Sequence, residues 1–307
     1  MNSKALVELI NEHHRSGQHS YVLLDPLAAP KDSEHSLLKN LKSVLGDCAM
    51  TRVVRPNMPH APESHPVLVC LGSPGSLPDA ALLELTTKAA EHDMHRRKRQ
   101  VCGWLLSEAA PSAIASHVTA LCRLPEASGA TSFHPVYEPL RLELLAALFE
   151  RAEQGPWWPI ERWVFVTSGG SLASLRGQPR NRRSLPAGAI GVQQDAALIE
   201  AVLAIWKASL LFTSATKVST LPPFAAVRAS NHINSARGLG LSAEQDIQAL
   251  ALHLLCLHPQ LHTLQAVRDM IDAAIHRQCP LSAQLARYSD SNWQRLVATL
   301  PCHEAYP

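Results

Sequence analysis

Sixteen histidines and seven cysteines give this chain an ample stock of metal ligands and nucleophiles, so their spacing decides what they can do. A helix presents a zinc pair at i and i+4, and thiolate hooks repeat at short fixed intervals. His13 and His14 are adjacent and diverge by about 100° on a helix. His253 and His258 are five apart. His92 and His95, three apart, can share a helix face, but no carboxylate, cysteine or further histidine completes the pair at motif-like spacing. Cys48, Cys70, Cys102, Cys122, Cys256, Cys279 and Cys302 form no close pair, and most sit in apolar runs such as Val69-Cys70-Leu71. The expectation is buried free thiols in a reducing compartment, with no metal and no cofactor.

Two glycine-bearing loops invite an enzymatic reading. Gly72-Ser73-Pro74-Gly75-Ser76 follows an apolar run, where a phosphate loop would sit, but it lacks the lysine and the spacing, and Pro74 removes a backbone donor. Ser168-Gly169-Gly170-Ser171 lacks the glycine that a nucleophile elbow places ahead of its serine. Neither loop carries chemistry, and the chain reads as a non-enzyme.

The basic residues offer binding instead. Arg96-Arg97-Lys98-Arg99 closes a predicted helix, and Arg176, Arg180, Arg182 and Arg183 fall in a loop that also holds Gly177 and Pro179. Three readings stand for these stretches: solvated surface, a docking patch for an acidic partner, or contact with nucleic acid. Neither stretch interleaves an aromatic platform. A balance of 28 basic against 26 acidic residues also argues against a dedicated nucleic-acid binder. Only 18% of residues are charged, which suits a surface partly covered by a partner.

The elements that must position these groups change character along the chain. Periodicity predicts helices over residues 3–14, 33–46, 79–93 and 112–122, and strands over 21–24, 51–54, 67–71 and 101–106. Phe133 to Tyr137 is a candidate edge strand, Pro139 opens a helix, and Trp163 to Val166 is a further strand. Beyond residues 185–192 the stripes lengthen into helices over 193–211, from a Ser242–Gln245 capping box to Pro259, from Thr263 through Ile275, and over 289–298. The fold class is therefore α+β or α/β. An N-terminal lobe of residues 1–185 holds a small mixed sheet with flanking helices, and a C-terminal lobe of residues 193–300 is all-helical. No apolar run is long enough to span a membrane and the start lacks signal-peptide character, so a cytoplasmic location is expected.

Several segments together resemble one family. Tyr21-Val22-Leu23-Leu24-Asp25 is similar to the opening Tyr-x-Leu-Leu-Asp strand and turn of the type VI secretion adaptor chaperones, effector-loading proteins encoded beside spike-protein genes. Trp104-Leu105-Leu106-Ser107 resembles their central strand, followed by the helix that carries His117. Phe133-His134-Pro135-Val136-Tyr137-Glu138-Pro139-Leu140 resembles their most recognisable segment, an aromatic followed by Asp-Pro-Arg; here Tyr137 is the aromatic, Glu138 stands for Asp and Leu140 for Arg. Arg237-Gly238-Leu239-Gly240-Leu241 and Glu244-Gln245-Asp246-Ile247 resemble the family's second-lobe pattern. The likeness implies a non-enzymatic cytoplasmic adaptor. Its partners would be a secreted effector and the C-terminal region of a trimeric spike protein.

Phe133, Tyr137 and Arg141 then become candidate partner-binding residues, with Arg141 taking over part of the role of the arginine replaced at Leu140. In an extended segment Phe133 and Tyr137 point to the same side. The alternative is that both rings are core residues holding a helix to the sheet. Two other function classes remain open: a divergent hydrolase or transferase with a site between the lobes, and a nucleic-acid-binding accessory protein.

Overall fold

The computed structural model describes residues 3–29, 36–94, 96–126, 128–179, 185–186, 188–213 and 220–301. Arg180, Arg182 and Arg183 lie outside the described residues, as does the predicted helical stretch at 33–35. The chain divides into two compact units, Met1–Gln194 and Asp195–Pro307.

The first unit runs α1 (Ser3–His13), β1 (His19–Leu24), α2 (Leu37–Leu45), β2 (Met50–Arg52), β3 (Val67–Gly72), α3 (Ala80–Asp93), β4 (Val101–Ser107) and α4 (Pro111–Leu121). It continues with β5 (Arg123–Pro125), β6 (Thr131–Phe133), α5 (Pro139–Ala146), β7 (Arg162–Val166), β8 (Leu172–Arg176) and α6 (Ala189–Gln194). Six strands form one sheet in the order β2-β3-β1-β4-β7-β8, and β5 pairs with β6 apart from it. Every strand pair is antiparallel, so the sheet is not mixed. The fold class is α+β. β1 lies between β3 and β4, and α3 carries the chain across it from one to the other.

Alternation along the strands explains why they read as continuous apolar runs: both faces of the sheet are covered. One face presents Val22, Leu24, Val69, Trp104, Leu106 and Val164 to Leu6 and Ile10 of α1, Leu41 of α2 and Leu83 of α3. Trp104 Nε1 donates to Thr86 Oγ1 at 2.9 Å, so the buried indole is satisfied where it meets α3. The other face sets Tyr21, Leu23, Leu68, Leu105, Trp163 and Phe165 against Ile114 and Val118 of α4 and Leu142 and Leu145 of α5. Gly103 sits opposite Leu23 at φ 145 and lets Trp163 lie flat against the strand. A Cβ there would meet Trp163 Nε1 and Val164 O at 2.6 Å.

The second unit is helical: α7 (Ala196–Thr213), α8 (Ala225–Gly238), α9 (Glu244–Cys256), α10 (Gln265–Ile275), α11 (Leu281–Leu285) and α12 (Asp290–Val297). α7, α8 and α9 pack on one another, and α11 packs on α9 and α10. Among the described residues no helix is long and apolar enough to cross a membrane.

Several local expectations are corrected. The strand expected over 133–137 ends at Phe133, and Val136-Tyr137 is a turn, so those two rings are not same-side neighbours on one strand. Arg176 ends β8 rather than opening a loop. The Ser242–Gln245 capping box does not form; α9 starts at Glu244 with Ala243 at the cap position and no side-chain cap. Burial of Leu241 and Ile247 sets that register, and Asp246 instead accepts from Ser282 N at 2.9 Å, at the start of α11. Thr263 does not cap α10 but donates to Gln260 O at 2.8 Å, closing the turn before it.

Candidate functional site

Two polar places in the first unit hold those residues singled out by sequence that are described, Phe133, Tyr137, Arg141 and Arg176. The first is buried, where β1, β4 and the start of α5 converge. Asp25 leaves β1 with its backbone N–H donating to Gln100 O at 2.8 Å, and its Oδ1 accepts from Leu27 N at 2.9 Å. Its other oxygen, Oδ2, is buried with no partner among the described residues. The same holds for Nε and Nη1 of Arg55, Nε2 of Gln100 and the hydroxyl of Tyr137. Arg55 lies 5.5 Å above the Phe133 ring, a cation–π arrangement.

Burial dominates the ionisation of these groups. It raises the Asp25 carboxyl, with Glu138 adding to the rise and the Leu27 N–H and Arg55 opposing it. It raises the Tyr137 phenol far above its ordinary range, and Asp25 adds to that while Arg55 opposes it. Burial also pushes the Cys122 thiol up to about 12 and raises Cys102, so both thiols stay protonated and unreactive. The cluster therefore suits orientation and packing rather than nucleophilic chemistry.

Tyr137 is fully buried, so its ring offers no surface to a partner. Phe133 is half-buried against the same core. Arg141 is spent within the unit: its Nε meets Glu138 Oε2 at 3.2 Å and its Nη1 donates to Gln193 O at 2.7 Å. Lys98 holds the other Glu138 oxygen at 3.3 Å. Much of the 96–99 basic stretch is structural too, since Arg99 donates to Val166 O and Thr167 O and Arg96 pairs with Asp93 at 3.5 Å. In the Ser168 loop the hydroxyl donates to Oε1 of the buried Glu143 at 2.8 Å, so a carboxylate faces it.

The second place is an open groove of about 520 Å³ between the end of α1 and the β7–β8 hairpin, and Arg176 is in it. It is also lined by Glu12, His13, His14, Arg15, Gln18, Glu108, Trp158, Glu161 and Arg162. Glu161 is a strut: Oε2 accepts from Gln18 Nε2 at 2.7 Å and Oε1 accepts from Glu108 N at 3.1 Å. Arg15 approaches it at 3.8 Å. Arg162 and Arg176 are direct cross-strand partners in the β7–β8 register. Burial lowers the Arg162 pKa from its ordinary value, Arg176 and Arg15 lower it further, and Glu12 opposes them. Gly177 fixes the groove wall, because a Cβ there would run into the carbonyl oxygen of Ile160 and the nitrogen of Trp158.

Sequence reasoning found Arg176 and the Phe133–Arg141 segment but missed Asp25, Arg55, Gln100, Arg15, Trp158 and Arg162 as members of these sites. Arg162 had a signal, a charge heading an otherwise apolar strand; Arg55 and Gln100 had none. Among the described residues no group of three or more His, Cys, Asp or Glu is placed to hold a metal ion. The chain matches no family model, no curated protein and no solved structure.

Proposed function

We propose that this chain is a non-enzymatic cytoplasmic adaptor that grips a secreted effector protein and helps load it onto the spike of a type VI secretion system. One observation carries the reading. Two segments on which the resemblance rests, Tyr21–Asp25 and Phe133–Leu140, are far apart in sequence and meet in one buried cluster. Tyr21 and Tyr137 share a core, and Asp25 lies close enough to Tyr137 to add to the rise of its phenol. Residues of both segments share one core, which supports reading them as one unit. The segment then acts as a rigid frame for the surface around it, as a pre-organised binder requires.

The test is co-expression with the effector and spike encoded beside it, followed by co-purification and a secretion assay in the native cell. Stable capture of the effector, and loss of effector secretion on deletion of the adaptor while the spike is still secreted, supports the reading. An effector that is secreted normally without this chain overturns it.

A further inference from the structure

The groove beside β8 deepens that reading, on which the following rests, by indicating what kind of segment is gripped. Arg162 and Arg176 face each other across the β7–β8 ladder. Like charges directly opposite on a sheet repel, so the arrangement costs stability unless an anion sits between them. Neither guanidinium has a carboxylate within 4 Å among the described residues, whereas Arg15 is near Glu161. Arg162 is held in place by donating to Ser174 Oγ at 3.2 Å.

None of the groove's carboxylates forms an ion pair with either guanidinium, although Glu12 acts on Arg162 from further off. Both Glu161 oxygens are already engaged by Gln18 and the Glu108 N–H. Glu12 and Glu108 are exposed, while the strand register fixes where the two arginines emerge. His13 and His14 line the α1 side. Trp158 and Pro179 also line the groove. Arginine and tryptophan are among the side-chain types enriched in binding hot spots. A guanidinium presents a planar fork of donors that matches a carboxylate.

The wall that carries Trp158 is rigid. Ser107 Oγ donates to Pro159 O at 2.6 Å, Glu161 N donates to Leu106 O at 3.0 Å and Gly177 N donates to Glu161 O at 3.1 Å. Little ordering is left for a ligand to impose, which favours binding. We propose that this groove seats an acidic peptide segment of the loaded protein, with an Asp or Glu carboxylate between Arg162 and Arg176 and the neighbouring residue against Trp158.

The test uses the full chain and a fluorescein-labelled hexaglutamate peptide, read by anisotropy at low salt, with hexalysine and a Gly-Ser peptide for comparison. Hexaglutamate is expected to bind, hexalysine and Gly-Ser not. Arg176→Glu, at the exposed end of β8, is expected to weaken binding at least tenfold, as is Arg162→Gln, with far-UV circular dichroism unchanged. Arg123→Glu, on β5, is expected to bind like the parent. Equal binding by the parent and Arg176→Glu overturns the proposal, as does preference for hexalysine. Displacement by free glutamate at the peptide's own concentration overturns it in favour of a small carboxylate ligand. The two readings fail separately. Effector capture without groove-dependent peptide binding removes the groove alone, and groove-dependent peptide binding without effector capture removes the adaptor alone.

Discussion

Arg141 and Gln193 hold each other reciprocally: Arg141 Nη1 donates to Gln193 O at 2.7 Å, and Gln193 Nε2 donates to Arg141 O at 2.9 Å. The pair fastens α5 to α6, and Glu138 aligns the guanidinium from the other side. Lysine keeps the charge but cannot reach both partners with a planar fork. Arg141→Lys is expected to lower unfolding stability by about 1.5–3 kcal/mol, the usual range for hydrogen bonds from a charged group. Urea denaturation checks it, and an unchanged midpoint would show that the lock contributes nothing.

Tyr137→Phe is expected to behave oppositely. The hydroxyl is buried and makes no hydrogen bond among the described residues, so removing it leaves the ring packing intact and relieves a desolvated polar atom. The expected change in stability is within about 1 kcal/mol, toward greater stability. Under the proposed adaptor function, effector binding should be unaffected, since the ring has no exposed surface. A large loss of stability would place a bonded partner on that oxygen.

Gly177→Ala is expected to damage the groove without touching any charge. The added carbon meets backbone at Ile160 and Trp158, which cannot rotate away as a side chain does. A forced backbone shift of this kind costs on the order of 1–3 kcal/mol. The variant should melt earlier and lose hexaglutamate binding together. Parental values for both would mean that β8 is free to move away from residues 158–160.

Mild acid should destabilise the protein through its buried histidines. Burial holds the His117 pKa below the ordinary imidazole value, opposed by the adjoining Pro156 and Trp157 backbone, and burial lowers His232 and His253 as well. A histidine that resists protonation when folded is protonated first in the unfolded chain. Its stabilising contribution is present above the unfolded value of about 6.5 and is lost as pH falls through the depressed folded value. The raised carboxyls of Asp25 and Asp93 work the other way. Folding takes up protons there, so their effect favours the folded state as pH falls toward about 3.9. Urea midpoints measured from pH 7.5 to 5.5 should therefore fall, and His117→Gln should flatten the slope. A slope identical to the parent's would take His117 out of the account.

The sheet was legible because it is covered on both faces. Val67–Leu71 and Val101–Leu106 are apolar at nearly every position, a pattern that few other contexts require. β8 was not legible, since Leu-Ala-Ser-Leu-Arg is an edge strand with only Leu175 buried. α8 was missed for a different reason. Its inward stripe is Ala225, Ala226, Ala229, Ser230, Ile233 and Ala236, small residues that allow close helix packing but carry almost no hydrophobic period. The buried cluster was half legible. Asp25 and Tyr137 stood in recognisable segments, but Arg55 and Gln100 join them only through the strand order, which no local pattern encodes. Arg176 stood out as a charge, yet its significance lies in facing Arg162, a matter of register.

The placement of β1 between β3 and β4 has a consequence for biosynthesis. During translation β1 leaves the ribosome before either of its partners; one edge of it can be paired only once residues 67–72 have followed, and the other only after residues 101–107. Until then Tyr21-Val22-Leu23-Leu24, all buried in the finished protein, is an uncovered apolar strand open to the wrong neighbour. The first unit therefore depends on a late, non-local closure, and a truncated chain ending before Val101 should aggregate rather than fold.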